Sequence, residues 1–252
     1  MKVTILGSGT SHGVPMIGCT CPVCLSPNPK DKRFRPSITV ENQGSVILVD
    51  TTPELRLQSL AVGLNLVDVV LMTHTHADHI FGLDDLRRFN DLSGQEIPVY
   101  GDAATLSDIR RIFQYIFIET QPGGGKPRIS LHEVPESFEM FGLAIQSFYV
   151  LHGRLPVLAY RFNDFAYVTD VNFIPQESME KLQNLDLLIL DAVRPDPHET
   201  HFGLYQALEI VDQLKPKQTL FTHLSHKFDH DSVNASLPSN VKLAYDGQVI
   251  EL

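Results

Sequence analysis

Cysteine is scarce in this 252-residue chain: there are three, an odd number, crowded at Cys19, Cys21 and Cys24. A secreted scaffold stapled by disulfides would not look like this. Apolar runs are short as well. None approaches the ~20 residues of a membrane helix, and no charged segment followed by an apolar run opens the chain. The expectation is a cytoplasmic protein with no membrane partner. Positive charge is also in deficit, since 20 Lys and Arg against 30 Asp and Glu leave a formal net charge of −10. Proteins that grip a long polyanion neutralise its phosphates with a basic field. Nucleic acid is therefore not the expected partner, and a small substrate is. Charged residues make up only 20% of the chain, which excludes wholesale disorder. Internal repeats, low-complexity linkers and the usual settings of a nucleophilic Ser or Cys are all missing. The stretch at residues 121–126 (QPGGGK) lacks the glycine spacing and the following Ser or Thr of a phosphate-binding P-loop, and reads as a flexible loop.

Hydrophobic residues form 43% of the chain, enough for a large core. They fall into runs of strand length at residues 3–6, 45–49, 67–72, 144–150, 157–162, 166–168, 187–190 and 219–221. Helix-period segments lie at 53–61, 103–117, 175–182 and 203–214, with Pro53 and Pro175 where a first helical turn tolerates proline. Strands cluster in the middle and helices intervene toward both ends. That order predicts packed sheets with helices outside, in one α/β domain spanning 1–252.

The run at 67–73 is a buried strand in this reading, and it leads straight into His74-Thr-His76-Ala-Asp78-His79. On extended backbone His74 and His76 point to the same side and can share one metal ion. Asp78 and His79 follow where the chain turns and can reach a second ion. Imidazole nitrogen with carboxylate oxygen suits zinc, manganese or iron. Further candidates sit just beyond short hydrophobic strands: His152 after 149–151, Asp170 after 165–169, and His223 after 219–222.

This order of motifs resembles the metal set of the metallo-β-lactamase superfamily, and the likeness spans nearly the whole chain. It implies a four-layer αββα sandwich. It also implies that His74, His76 and His152 hold one ion, that Asp78, His79 and His223 hold the other, and that Asp170 bridges them. Asp50, ending the strand at 46–49, matches the superfamily's early aspartate, which orients a ligand. An Asp bridge with a late His resembles the phosphodiesterase branch; true β-lactamases commonly carry a Cys. The ions would be zinc or manganese, with iron and nickel as further options, and would activate a water between them against a small phosphodiester. Asp78 and His201 are the residues expected to serve catalysis. In the phosphodiesterase branch a histidine near the His198–His201 stretch faces the substrate phosphate; His201 has the better spacing to His223, and His198 is the competitor.

Three thiols in Cys19-x-Cys21-x-x-Cys24 suit a tetrahedral structural zinc in a loop near residues 18–26, and His226, three residues after His223, offers a fourth ligand. This pairing resembles the phosphoribosyl 1,2-cyclic phosphate phosphodiesterases of phosphonate degradation, as does the 7–11 stretch (GSGTS). It also occurs in the pyrroloquinoline quinone biosynthesis protein B family, which leaves a cofactor-carrying role open. A tRNA 3′-processing endonuclease is the other alternative; that family carries a long basic glycine-rich arm, for which only the short loop near residue 123 stands in here. His12, His132 and His230 have no spacing argument and are expected not to bind metal. Arg87 and Arg88 are expected to be salt-bridged on a helix over 82–90. Oligomeric state, with a homodimer as one option, is not legible in the sequence.

Overall fold

The computed structural model describes residues 1–119 and 125–252; most of the loop expected at 121–126 lies outside the described residues. Fourteen strands in the described residues form two mixed sheets. Strands β1 (Lys2–Gly7), β2 (Ser37–Asn42), β3 (Ser45–Val49), β4 (Val69–Leu71), β5 (Ile97–Gly101) and β6 (Ile129–Glu133) belong to the first. The second holds β7 (Ser137–Met140), β8 (Leu143–His152), β9 (Leu155–Phe162), β10 (Phe165–Val168), β11 (Leu187–Asp191), β12 (Gln218–Thr222) and β13 (Val241–Leu243). Strand β14 (Val249–Glu251) returns to the edge of the first sheet. The orders are β14-β1-β2-β3-β4-β5-β6 and β13-β12-β11-β10-β9-β8-β7.

Helices α1 (Pro22–Leu25), α2 (Leu55–Val62), α3 (Ala77–Ile80), α4 (Leu86–Ser93), α5 (Ala103–Ile112), α6 (Gln114–Phe117), α7 (Gln176–Lys181), α8 (Leu204–Leu214) and α9 (His230–Ser236) connect the strands. The central strands read as unbroken apolar runs because both of their faces are covered. Along β3, Ile47 and Val49 enter the layer between the sheets, where Tyr160, Tyr167 and Ile189 meet them. Leu48 points the other way, toward Leu55, Leu86 and Phe89 of the helices. On the second sheet Val168, Leu188, Leu190 and Phe221 pack outward against Ala207, Val211 and Leu214. The four layers are thus helix, sheet, sheet, helix. Each such Val, Leu or Ile contributes roughly 1.5–3 kcal/mol by leaving water.

Several elements depart from the sequence reading. The strand expected at 67–72 is ladder-paired only over Val69–Leu71. The helix expected at 103–117 breaks at Phe113, whose φ of −104° and ψ of 39° leave the helical region. Strand β5 carries Pro98 inside a sheet, a position that argues against a strand on sequence grounds. No helix among the described residues is long and apolar enough to cross a membrane.

What matters for the site is strand direction. Strands β3 and β4 run parallel, as do β10, β11 and β12. Their carboxyl ends open on one rim, the place where such sheets collect ligands. Gly82 lets the chain after α3 press onto that rim, since a Cβ there would lie 1.9 Å from the Thr52 carbonyl oxygen.

Candidate metal centre

Most residues of the expected cluster arrive at the end of a strand or on the loop after it, while Asp78 and His79 lie on the short helix α3. Asp50, Asp170 and His223, which follow β3, β10 and β12, take left-handed backbone with φ of 63°, 53° and 59°. That conformation costs a non-glycine residue about 1 kcal/mol and persists where the surroundings fix it, commonly at functional sites. His74 lies three residues past the end of β4, and α3 turns Asp78 and His79 back toward it. His152 is the last residue of β8.

Hydrogen bonds at the Nδ1 atoms set the rings. His79 Nδ1–H donates to Asp50 Oδ2 at 2.7 Å. The same carboxylate accepts Thr73 N–H and the Thr73 hydroxyl at 2.8 and 2.7 Å, and Thr73 Oγ1 in turn meets His74 Nδ1 at 3.0 Å. Asp50 thus touches the His79 ring and not the centre of the cluster. His152 Nδ1 lies 2.6 Å from the Thr200 carbonyl, and His201 Nδ1 lies 2.7 Å from Asp191 Oδ2. With Nδ1 protonated in His74, His79 and His152, the Nε2 lone pairs of these rings are left to face inward.

Three Nε2 atoms lack protein partners. His74 Nε2, His79 Nε2 and His223 Nε2 are buried with none, an arrangement that is costly unless a cation lies between them. His79 Nε2 stands 3.1 Å from Asp170 and 3.5 Å from Asp78. His223 Nε2 stands 3.4 Å from Asp170 and 3.7 Å from Asp78. Such separations are those of ligands around one ion with bonds of about 2.0–2.2 Å. The ligand atoms of His74, His76 and Asp170 lie within 4.8 Å of one another, as do those of His152, Asp170 and His201. Asp170 thus touches every part of the cluster. His152 groups more closely with His201, at 4.4 Å between ring centres, than with His76, at 5.2 Å.

The charges follow from the crowding. Burial alone would raise the Asp170 carboxyl, but His223 and His79 hold it well below the usual range. Burial alone would lower His223, yet Asp170 and its neighbours push it up to about 9. Burial, with His79 beside it, depresses His74. The cluster is a set of carboxylates that draws positive charge, and the residues present fit two divalent ions.

One participant escaped the sequence reading. Asp191 ends β11, is fully buried, and accepts from both His201 Nδ1 and Val171 N–H. Its strand-terminal position is the same signal that singled out Asp50 and Asp170. His201 is buried against His223 at 4.6 Å between ring centres. His198 sits one layer out, 5.1 Å from His201, with its Nδ1 accepting from Thr200 N–H. His12, His132 and His230 join none of the clusters found among the described residues. Arg87 and Arg88 pair on the surface with Asp84 and Asp91 at 3.0 and 4.0 Å.

The cysteines form a second centre. His226 Nδ1 lies 3.3, 3.4 and 3.7 Å from the sulfurs of Cys19, Cys21 and Cys24. A tetrahedral zinc with sulfur and nitrogen bonds near 2.3 and 2.1 Å sets its S···N edges at about 3.5 Å, so the donors present fit that ion. The Cys24 backbone N–H donates to Cys21 Sγ and brings that thiol down to about 6. Burial raises Cys24 to about 11. Thr10 N–H to Leu224 O and Leu224 N–H to Ser8 O stitch the N-terminal loop to the turn between His223 and His226.

With both centres described, the class is plain. A family model described as a β-lactamase superfamily domain matches residues 45–224, and the chain belongs to the metallo-β-lactamase superfamily. Within it the chain belongs with the PhnP family, for it is 42% identical to a diphosphatase of that family whose crystal structure is known. That match has a TM-score of 0.92 over 99% of this chain and 96% of the other. Zinc-bound PqqB from Methylobacterium extorquens shares the fold at 19% identity and TM-score 0.81, with each chain fully covered. An octanoyltransferase from Porphyromonas gingivalis is 36% identical over 98% of this chain. The chain spans only 51% of that relative's length, and 42% of a coenzyme PQQ synthesis protein B from Methylobacterium radiotolerans that is 33% identical over 45% of this chain.

Proposed function

We propose that this chain is a two-metal phosphodiesterase acting on a small diester, a cyclic ribose phosphate being the form favoured by its cysteine loop. The observation that carries this reading is the convergence of the unpartnered Nε2 atoms of His74, His79 and His223 on Asp78 and Asp170, beside a His201 held by Asp191. When bound, two divalent ions, zinc or manganese by the donor set, supply Lewis acidity toward phosphate oxygens and a water of lowered pKa. The protein's own share is position and protons. Asp50 and Thr73 fix the rings of His79 and His74, and Thr200 fixes His152. Asp191 keeps one proton on His201 Nδ1, so Nε2 can hold a second proton against an oxygen that gains negative charge in the transition state. Ribonuclease Z relatives, such as that of Methanopyrus kandleri at 33% identity over 38% of this chain, support a nuclease as the second reading. The net charge of −10 opposes it.

The test is kcat/KM on a cyclic ribose or aryl phosphodiester from low to moderate salt, with precursor tRNA in parallel. Turnover of the small diester should change little with salt. A tRNA-cutting enzyme would lose affinity with log salt by about 0.7–0.9 per phosphate neutralised. Efficient, salt-sensitive tRNA cleavage with poor turnover of small diesters would overturn the proposal.

A further inference from the structure

Between Arg194 and Gly203, which form an isolated bridge, the chain makes a loop containing Pro195 and Pro197 and no ladder of its own. The loop ends in His201, and side chains reach its last residues from three directions. Asp191 holds His201 itself, His152 Nδ1 donates to the Thr200 carbonyl, and Asn172 Nδ2 donates to the Glu199 carbonyl at 2.8 Å. The other arm of Asn172, Oδ1, accepts Gly153 N–H at 2.7 Å. Backbone bonds extend the junction: Asn172 N–H to Leu151 O at 2.8 Å, and Phe202 N–H to Val171 O at 2.7 Å. One amide side chain therefore spans the loop after His152 and the loop before His201, while its own backbone lies two residues past Asp170.

We propose that Asn172 is a positioning residue which fixes His201 relative to His152 and Asp170. This rests on the roles given above to those three residues. The chemistry calls for asparagine. A backbone N–H on one side demands an acceptor, and a carbonyl on the other demands a donor. Only a carboxamide of this length presents both from one planar fork, and the two partners fix which atom is oxygen. Aspartate would keep the bond to Gly153 and set an anion against the Glu199 carbonyl. Alanine would release both arms.

The two substitutions separate the arms. In Asn172→Asp, amide hydrogen exchange at Thr200 and His201 should quicken while Gly153 stays protected, and metal should leave into a chelator at the wild-type rate. kcat on the small diester should fall about 10–100-fold, the usual range for a lost partner of this kind, with KM nearly unchanged. In Asn172→Ala, Gly153 should lose protection too, and metal release should quicken because His152 is freed. Exchange at Thr200 and His201 unchanged in both variants would overturn the proposal. So would a kcat loss in Asn172→Asp that merely follows metal loss or a lowered melting temperature. If the wild-type protein turned over no diester, the functional reading would fail, while exchange and metal release would still decide the role of Asn172.

Discussion

Replacing Asp191 with asparagine isolates the charge behind His201 without changing the size of the side chain. Asp191 is fully buried; one oxygen takes His201 Nδ1–H at 2.7 Å and Val171 N–H at 3.0 Å. The other oxygen has no partner and lies 3.8 Å from His223 Nδ1. An asparagine amide either sets its oxygen where both donors point, keeping the two contacts without the charge, or sets its nitrogen there and loses both; in either orientation the charge-assisted bond to His201 is lost. Such a bond contributes about 1.5–3 kcal/mol net. At about 1.4 kcal/mol per tenfold, kcat should fall roughly 10²-fold, inside the span of about 10²–10⁴ for a positioned acid or base. KM should stay within a few-fold, because the loss is felt mainly as charge develops. Stability should change little, since removing a buried charge with one bare oxygen offsets the lost bond. The assay is steady-state kinetics on an aryl phosphodiester, with metal content and melting temperature measured on the same preparation. An Asp191→Asn protein that kept more than half of wild-type kcat would refute the reasoning, as would a loss that tracked metal content.

Two further outcomes are expected. Cys21→Ser should lose a zinc that the wild-type protein retains through mild chelation of the larger cluster, and should melt at a lower temperature, because structural zinc contributes folding free energy directly; three freely titratable thiols in the native wild type would refute the site. His230 is buried and, through burial and then the charges of Lys30 and Arg33, is brought from 6.5 down to about 4. The unfolded chain therefore takes up a proton below pH 6.5 that the fold refuses until about pH 4, so stability is complete above 6.5 and falls across that window. Chemical denaturation of His230→Phe should show that acid-dependent loss reduced by about 2–3 kcal/mol relative to wild type; parallel curves would refute it.

The larger cluster was legible because its residues announce themselves locally. His74, His76, Asp78 and His79 crowd the end of one buried strand, and His152, Asp170 and His223 repeat the same position. Asp191 holds that position too, but what marks it is a pairing with His201 ten residues away, across a proline-containing loop that carries no periodicity. Asn172 was invisible for the same reason, since its two partners lie 19 and 27 residues off. The covered central strands showed as apolar runs, whereas β2, β5, β6, β7, β13 and β14 did not. Strand β7 is only partly buried and β14 is an exposed edge. Strand β5 conceals itself behind Pro98, which still pairs in register with Ser130. The break in the helix at Phe113 likewise depends on where the tertiary structure needs the chain to turn.

In the proposed function this cluster hydrolyses phosphodiesters through metal held by its strand-end residues. The most direct test measures turnover of a small diester together with bound metal for wild type, His76→Ala and Asp78→Ala. Wild type should lose activity on exhaustive chelation and regain it with added zinc or manganese. Both variants should remain folded by circular dichroism and should stay inactive with either metal, because an aligned pair of ions contributes several kcal/mol to the barrier reduction. More than about a tenth of wild-type activity in both variants would contradict the account.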